Sequence, residues 1–342
     1  MRRMPRLLAI SGVAVGLLAH AALPFTADAK SVLNACWAPA ELAAKPGEKN
    51  PRKGDHSFDA PPAQGRLLAP SAGAPSDAAG AIRRVKLPPG RKLVALTFDL
   101  CEQPGEIAGY DGAIIDYLRS ENVKATFFAG GKWMRSHEQR AQQLMADPRF
   151  EIGNHSEAHR NLRLLNGTRL RDEVVGPQRA YEAIRTRLAQ SQCAVAQPAA
   201  MQSVAPRLSL FRFPYGACND RALREVHDQG LRAIQWDIST GDPAPLQSAA
   251  AMVRAMSHAR PGSIIVNHAN GRGWHTAAAL PLAITKLRDM GFEFVTVSEL
   301  IAAGEPVIAP DCYDSRPGDT NRYDNVMKGP HPLLQKTKIH RP

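Results

Sequence analysis

Short apolar runs alternate with amphipathic patterns between residues 92 and 300. Amphipathic patterns predict helices at 111–121, 168–188, 220–229, 246–259 and 276–290. Runs typical of buried strands lie at 92–98, 124–130, 150–155, 208–214, 231–238, 262–268 and 292–297. This alternation predicts an α/β fold in which a parallel sheet of about seven strands closes into a distorted (β/α) barrel.

The two flanks of this region lack such periodicity. Residues 30–91 are rich in Ala, Pro, Gly and Ser, and they carry many basic side chains. Residues 304–342 are poor in apolar side chains. We therefore predict one folded domain over 92–303, a loosely packed basic linker over 30–91, and a C-terminal tail over 304–342.

The first 29 residues combine a basic start, an apolar run over 7–23 and small residues at Ala27 and Ala29. This pattern predicts a signal peptide that is cleaved after Ala29, and hence export to the periplasm or the outside of the cell. An uncleaved membrane anchor is the alternative. After cleavage, no later segment is apolar enough to span a membrane, and we expect a monomer.

The net charge of +11 suggests an anionic partner at first sight. Most of this excess lies in the basic flank, whereas residues 93–300 are almost balanced. A nucleic-acid-binding protein concentrates basic and aromatic side chains on its folded domain, so we expect no nucleic-acid partner.

The chain has five cysteines, at positions 36, 101, 193, 218 and 312, and none forms a CxxC motif. Export permits disulfides, although spacing alone does not give the pairing. We consider a bridge between Cys101 and Cys218, because each follows a strand-end motif. A bridge between Cys36 and Cys312 would join the two flanks.

Polar side chains appear where several of the predicted strands end, the edge at which α/β folds assemble their sites. These residues are Asp99, His155, His159, Arg212, Asp237, Asp242 and His268. Carboxylates, imidazoles and one guanidinium from five strand ends are therefore expected to converge.

The residue types at these ends suit hydrolysis assisted by a metal. His155 and His159 are four apart and can share one metal ion. Asp99 ends an apolar strand and suits a general base that Arg212 keeps ionised. Together with an acid, they describe the attack of an activated water on an acyl carbon.

The acid in this scheme is His268, whose second ring nitrogen needs a carboxylate partner, either Asp242 or Asp237. Other hydrolytic and nucleotide-binding chemistries lack their motifs, since the sequence contains no GxSxG, no Walker loop, no GxGxxG and no HExxH.

The order of these motifs resembles the polysaccharide deacetylases, carbohydrate esterase family 4 with its NodB-like domain. The matching segments, in chain order, are TFD at 97–99, VKATFF at 123–128, NHSEAH at 154–159, FRFPYG at 211–216, STGD at 239–242 and IIVNH at 264–268. The resemblance implies a catalytic domain over 92–303 that removes acetyl groups from an N-acetylated polysaccharide such as peptidoglycan or a chitin-like glycan.

The resemblance also implies a role for each matching residue. Asp99 is implied as the base that activates a water held by the metal, and His268 as the acid that protonates the leaving group. Arg212 tunes the base, and Asp242 orients the acid. The metal ligands would be His155 and His159, the cofactor zinc, with cobalt, nickel or manganese as alternatives. Substrate-binding roles fall on Phe213, Pro214, Tyr215 and Asn270.

The sequence departs from the family pattern at three places. Leu100 stands where the family has a second Asp that ligates the metal. Glu102 or Asp111 would replace that ligand, or Asp99 itself ligates, or extra water holds the metal weakly, or the chemistry needs no metal. Pro243 replaces a common aromatic, and HANG at 268–271 replaces the usual His-Asp.

These departures keep two other functions open. One is a catalytically inactive glycan-binding protein on the same fold, motivated by the loss of the Asp ligand. The other is a related amide or ester hydrolase with weak or no metal dependence.

Overall fold

The computed structural model describes residues 31–61, 68 and 80–326. The strands are β1 (Arg52–Lys53), β2 (Ala81–Lys86), β3 (Leu93–Leu100), β4 (Glu106–Ile107), β5 (Ala125–Ala129), β6 (Phe150–Asn154), β7 (Leu210–Phe211), β8 (Arg232–Ala233), β9 (Ile238–Ser239), β10 (Ile264–His268), β11 (Glu293–Phe294) and β12 (Glu305–Ala309). The α-helices are α1 (Val32–Cys36), α2 (Pro39–Leu42), α3 (Gly112–Ser120), α4 (Gly131–Ser136), α5 (Glu138–Ala146), α6 (Gly167–Gln190), α7 (Gln192–Val195), α8 (Pro198–Gln202), α9 (Asp220–Asp228), α10 (Ala249–Met256), α11 (Thr276–Asp289), α12 (Val297–Ala302) and α13 (Arg322–Val326).

The central sheet is parallel and curled, with the order β8-β7-β6-β5-β3-β10-β9, and β11 pairs with the start of β3. The predicted distorted (β/α) barrel of about seven strands is confirmed. The apolar run at 231–238 forms two short strands, β8 and β9, rather than one. The five predicted helices are present as α3, α6, α9, α10 and α11, whereas α4 and α5 lie in a segment for which the sequence pattern predicted no element.

Strand β3 shows how the sheet is buried on both faces. All eight of its residues are buried. Its even-numbered residues, Leu100 among them, join the larger apolar cluster, whereas Leu93 and Ala95 join the smaller one. Because successive side chains of a strand point to opposite faces, Asp99 belongs to the face opposite that of Leu100.

The register of the parallel strands determines which strand-end residues lie side by side. Asp99 on β3 is paired directly with His268 on β10, at the last position of their ladder. On the other side of β3, Asn154 of β6 is level with Phe211 of β7, so the next residues along the chain, His155 and Arg212, leave the sheet together.

The described part of residues 30–91 packs on the domain, contrary to the prediction of a loose linker. Val32 and Leu33 are each 1% exposed, and Cys36 is bonded to Cys193 after α6. Glu48 accepts two hydrogen bonds from the guanidinium of Arg140, at 2.5 and 2.8 Å. Local composition does not predict these few contacts, because each depends on a partner that is distant in sequence.

The described part of the C-terminal tail is also attached. Strand β12 runs antiparallel to β2, and Cys312 is bonded to Cys218. The sequence hypotheses of a Cys101–Cys218 bridge and a Cys36–Cys312 bridge are therefore wrong. Cys101 lies in the described part as a buried free thiol.

The predicted signal peptide, residues 1–29, lies outside the described residues. Within 31–61, 68 and 80–326, none of the helices has both the length and the apolar character that crossing a bilayer requires.

Candidate active site

A cleft of about 1010 Å³ opens at the carboxyl ends of the central strands. Its lining comes from the sheet and from both flanks of the chain. Sheet-end residues in the lining include Asp99, Cys101, His159, Phe213, Tyr215, Asp242 and His268, and residues from the flanks are Lys53, Asp314, Arg322 and Tyr323. The segments that the sequence placed outside the domain therefore form part of the wall of the cleft.

Asp99 and Arg212 form a buried ion pair on the floor of the cleft. Nη1 of Arg212 donates to Oδ1 of Asp99 at 2.9 Å and to the hydroxyl of Thr97 at 2.7 Å. Burial by itself raises the pKa of Asp99, but the neighbouring His155 and the permanently charged Arg212 outweigh it and lower the pKa. Asp99 is therefore ionised at neutral pH.

His268 and Asp242 form a second pair, next to the first. Nδ1 of His268 donates to Oδ1 of Asp242 at 2.9 Å, while the backbone N–H of His268 and the hydroxyl of Thr276 donate to Oδ2, each at 2.7 Å. Burial alone lowers the pKa of His268, but the Asp242 carboxylate opposes it and holds the pKa above its ordinary value. Asp237, the alternative partner, instead accepts from Ser263 and the backbone N–H of Ile264.

His155 and His159 lie together, with their ring centroids 5.0 Å apart. Nδ1 of His155 donates to the carbonyl of Arg212 at 2.9 Å, which leaves Nε2 as the unprotonated atom. That Nε2 and Nδ1 of His159 are buried and have no hydrogen-bond partner. Burial lowers the pKa of both imidazoles, so both are neutral and free to ligate a cation.

The loop that carries the histidines is strained rather than helical. Four non-glycine residues of the described chain have a positive φ, and three lie at or beside the cleft, namely Ser156 at 64°, His159 at 52° and Tyr215 at 62°. The hydroxyl of Ser156 accepts from the backbone N–H of His159 at 3.0 Å, which helps to hold this conformation. Strain of this kind is typical of functional sites.

Cys101 completes a cluster with the two histidines, which sequence reasoning missed. Its sulfur and one nitrogen from each histidine all lie within 4.8 Å of one another. Burial raises the pKa of the Cys101 thiol to about 12 in the absence of a cation. The alternation of side chains along β3 could have identified this residue, because position 101 follows 99 on the same face, whereas position 100 does not.

Glu102 and Asp111, the sequence candidates for the missing ligand, are not part of this cluster. Glu102 is buried and accepts from the backbone N–H of Ala108 at 2.9 Å and the hydroxyl of Ser136 at 2.8 Å. Asp111 precedes α3 and pairs with Lys49 at 3.6 Å. The structure brings neither carboxylate to the histidines.

The predicted substrate-binding residues divide into two groups. Phe213 and Tyr215 line the cleft, and the ring centroids of Tyr215 and His159 are 4.6 Å apart. Pro214 is buried and Asn270 is fully buried, and neither belongs to the lining. The side-chain amide of Asn270 instead donates to the carbonyl of Cys101 at 2.7 Å and to its sulfur at 3.1 Å.

Comparisons with known proteins identify similar sequences and folds. The sequence model of a family described as "Polysaccharide deacetylase" matches residues 86–234. The chain is 28% identical to the peptidoglycan-N-acetylglucosamine deacetylase PgdA of Listeria monocytogenes over 209 residues, which cover 61% of this chain and 39% of that protein. It is 28% identical to a peptidoglycan-N-acetylglucosamine deacetylase of Bacillus cereus, covering 62% of this chain and 70% of that protein.

A solved structure with the same fold is a mutant of a carbohydrate esterase family 4 pseudoenzyme from Bacillus anthracis, described as having restored enzymatic activity. The TM-score is 0.51 at 26% identity, over 65% of this chain and 71% of that chain. The chain spans only 39% of the Listeria relative, so the match covers the domain and not that whole protein.

Proposed function

Because a polysaccharide deacetylase model matches residues 86–234, we propose that the chain belongs to this family and is a hydrolase that removes acetyl groups from an N-acetylated glycan with the help of a divalent cation. The relatives named above suggest peptidoglycan as the first substrate to test. The motifs of the sequence suggest chitin-like oligomers second. The single observation that carries the proposal is the pairing of Asp99–Arg212 with His268–Asp242 at one level of adjacent strands, facing one cleft.

Asp99 acts as the general base in this proposal. Arg212 holds the carboxylate ionised, so Asp99 accepts a proton from a water molecule as that water attacks the acetyl carbonyl carbon. The burial of the pair strengthens the interaction of the carboxylate with the water, since little solvent competes for it.

His268 acts as the general acid. Asp242 accepts from Nδ1, which keeps the imidazolium oriented and leaves Nε2 to donate a proton to the amine as its bond to the acetyl carbon breaks. Acetate and a free amino sugar are the products. Asp99 and His268 thus transfer protons on the two sides of the reacting amide.

The two unpaired imidazole nitrogens of His155 and His159 fit a divalent cation. When bound, a zinc, cobalt or nickel ion would supply Lewis-acid polarisation of the acetyl oxygen and lower the pKa of a nearby water. In the neighbouring acid–base pairs, by contrast, Asp242 accepts three hydrogen bonds and Asp99 accepts one from Arg212.

Export to the cell envelope is part of the proposal. Two disulfides, Cys36–Cys193 and Cys218–Cys312, favour an oxidising compartment, and a wall polymer lies outside the cytoplasm.

The test is acetate release by the purified protein after removal of metals and addition of zinc, cobalt or nickel. Substrates are N-acetylglucosamine oligomers, peptidoglycan and, as an ester comparison, acetylated xylan. We expect turnover with a cation and none with chelator. Absence of release from all three substrates would contradict a deacetylase, and full activity in chelator would instead favour the metal-independent hydrolase.

Leu100 supports a second candidate, a glycan-binding protein without turnover, because the similar solved structures include a pseudoenzyme. This candidate predicts tight binding to the same glycans without acetate release, and equal binding by the Asp99→Asn variant.

A further inference from the structure

The thiol of Cys101 takes no part in the acid and base pairs of the cleft. It is 2% exposed, lines the cleft and takes part in neither disulfide. Its sulfur lies within 4.8 Å of one ring nitrogen of His155 and one of His159, and within the described chain this is the group of three or more His, Cys, Asp or Glu side chains that could hold a metal ion.

The histidine nitrogens provide an independent observation. Nε2 of His155 and Nδ1 of His159 are buried and lack hydrogen-bond partners, in residues that are 1% and 9% exposed. An unpaired buried polar atom destabilises the folded protein, so two on neighbouring histidines indicate a ligand that satisfies them.

Asn270 fixes the position of the sulfur. Its Nδ2 donates to Sγ of Cys101 at 3.1 Å and to the carbonyl of the same residue at 2.7 Å. Its Oδ1 accepts from the backbone N–H of Arg272 at 3.3 Å, which sets the orientation of the amide. A donor aimed at sulfur stabilises the thiolate more than the thiol.

Two departures from the family pattern therefore concern the same atom, the sulfur of Cys101. The side chain of Leu100 lies in the apolar core, on the opposite face of β3, and the next residue supplies a sulfur on the face of the histidines. The unusual HANG segment supplies the donor to that sulfur.

We propose that Cys101 is the third protein ligand of the cation, with His155 and His159, and that Asn270 is a positioning residue for its sulfur. This inference rests on the proposed function for the identity of the cation site. The thiol releases its proton to solvent as the sulfur–metal bond forms. A set of two imidazoles and one thiolate favours zinc or cobalt over magnesium or manganese.

The test uses the purified, disulfide-bonded protein loaded with cobalt(II) alone. A thiolate ligand gives a near-ultraviolet charge-transfer band that nitrogen and oxygen ligands do not give. We expect this band in the wild-type protein and its loss in Cys101→Ser. Cys101→Asp, which offers a carboxylate instead, should bind cobalt without the band. The matched control Asp111→Asn, which changes a carboxylate outside the cleft, should keep the band.

Asn270→Ala tests the positioning role. We expect the band to remain but to shift in energy, with cobalt bound roughly 10- to 100-fold more weakly, as found for partners that orient metal ligands. An unshifted band with unchanged affinity would remove this role from Asn270.

Zinc X-ray absorption on the wild-type protein covers the case in which Cys101→Ser does not fold. We expect one sulfur at about 2.3 Å from zinc. Bound zinc or cobalt without a sulfur ligand, or no binding of either ion, would overturn the inference. An acetyl group trapped on Cys101 in chelated, active protein would also overturn it, by making the thiol a nucleophile.

The experiments can contradict the inference and the proposed function independently of each other. A charge-transfer band without acetate release leaves the ligand assignment intact and removes the deacetylase. Acetate release with a cation but no band leaves the deacetylase intact and removes Cys101 from the ligand set.

Discussion

The two halves of the cleft floor differ in how completely their polar atoms are paired. In the acid–base half, Asp242 accepts three hydrogen bonds, and Asp99 is held by Arg212. In the ligand half, one nitrogen of each of His155 and His159 is buried without a partner. We therefore expect that the protein alone orients Asp99 and His268, and that a bound group completes the ligand half.

The largest expected effect comes from breaking the acid–base half at Asp99. Asp99→Asn keeps the shape of the side chain but removes the base, so we expect kcat to fall roughly 10²- to 10⁴-fold. The measurement is acetate release at saturating cation, with a melting curve to confirm that the variant is folded. A rate near that of the wild-type protein would remove Asp99 from the base role.

The next largest expected effect is the increase in the free energy of unfolding when zinc binds to the ligand half. Zinc at about 100 times its Kd should raise the free energy of unfolding by about 2.7 kcal/mol, because it binds the folded state. His155→Ala should abolish this rise, and Asp242→Asn, in the other half, should keep it. Denaturant melts with and without zinc measure the effect, and an equal rise in both variants would contradict the division.

The pH dependence of activity tests the role of His268 in the acid–base half. His268 must be protonated to act as the acid, so activity is lost as the pH rises through its pKa. Asp242 opposes burial and raises that pKa above its ordinary value, which extends activity toward higher pH.

Asp242→Asn removes the carboxylate that raises this pKa. The high-pH limb of kcat/KM should therefore move to lower pH, and the loss of activity should be smaller in acid than in base. If the high-pH limb of kcat/KM does not move, a group other than His268 determines it.

The smallest change is at Thr276, whose hydroxyl donates to Asp242 at 2.7 Å. Thr276→Val removes this one bond, and we expect about 1 kcal/mol less stability with at most a modest fall in kcat. Thermal melts and acetate release measure both. A loss as large as that of Asp99→Asn would show that Thr276 has a role beyond this bond.

Much of the sheet and of the acid–base half could be predicted from the sequence. Buried parallel strands read as apolar runs, and their carboxyl ends share one edge, so Asp99, Arg212 and His268 were identifiable as neighbours. The choice between Asp237 and Asp242 was not, because the two carboxylates flank β9, and the apolar run at 231–238 does not show where that short strand lies along β10.

The ligand half and the flanks were harder to predict. Glu102 and Asp111 were predicted instead of Cys101, because a carboxylate is the nearest chemical substitute for the missing Asp. The attached flanks depend on pairs far apart in sequence, such as Cys218 with Cys312, for which local composition carries no information.

The order of the cysteines along the chain has a consequence for making this protein. Cys101 comes between Cys36 and Cys193, which form one of the two bridges. A chain whose thiols are oxidised in the order of the sequence joins Cys36 to Cys101 first. Cys193 must then attack that bridge to release the cleft thiol, an exchange that isomerases and mixed thiol buffers accelerate. In preparations made without such reshuffling, we expect a fraction of molecules in which Cys101 remains bonded to Cys36.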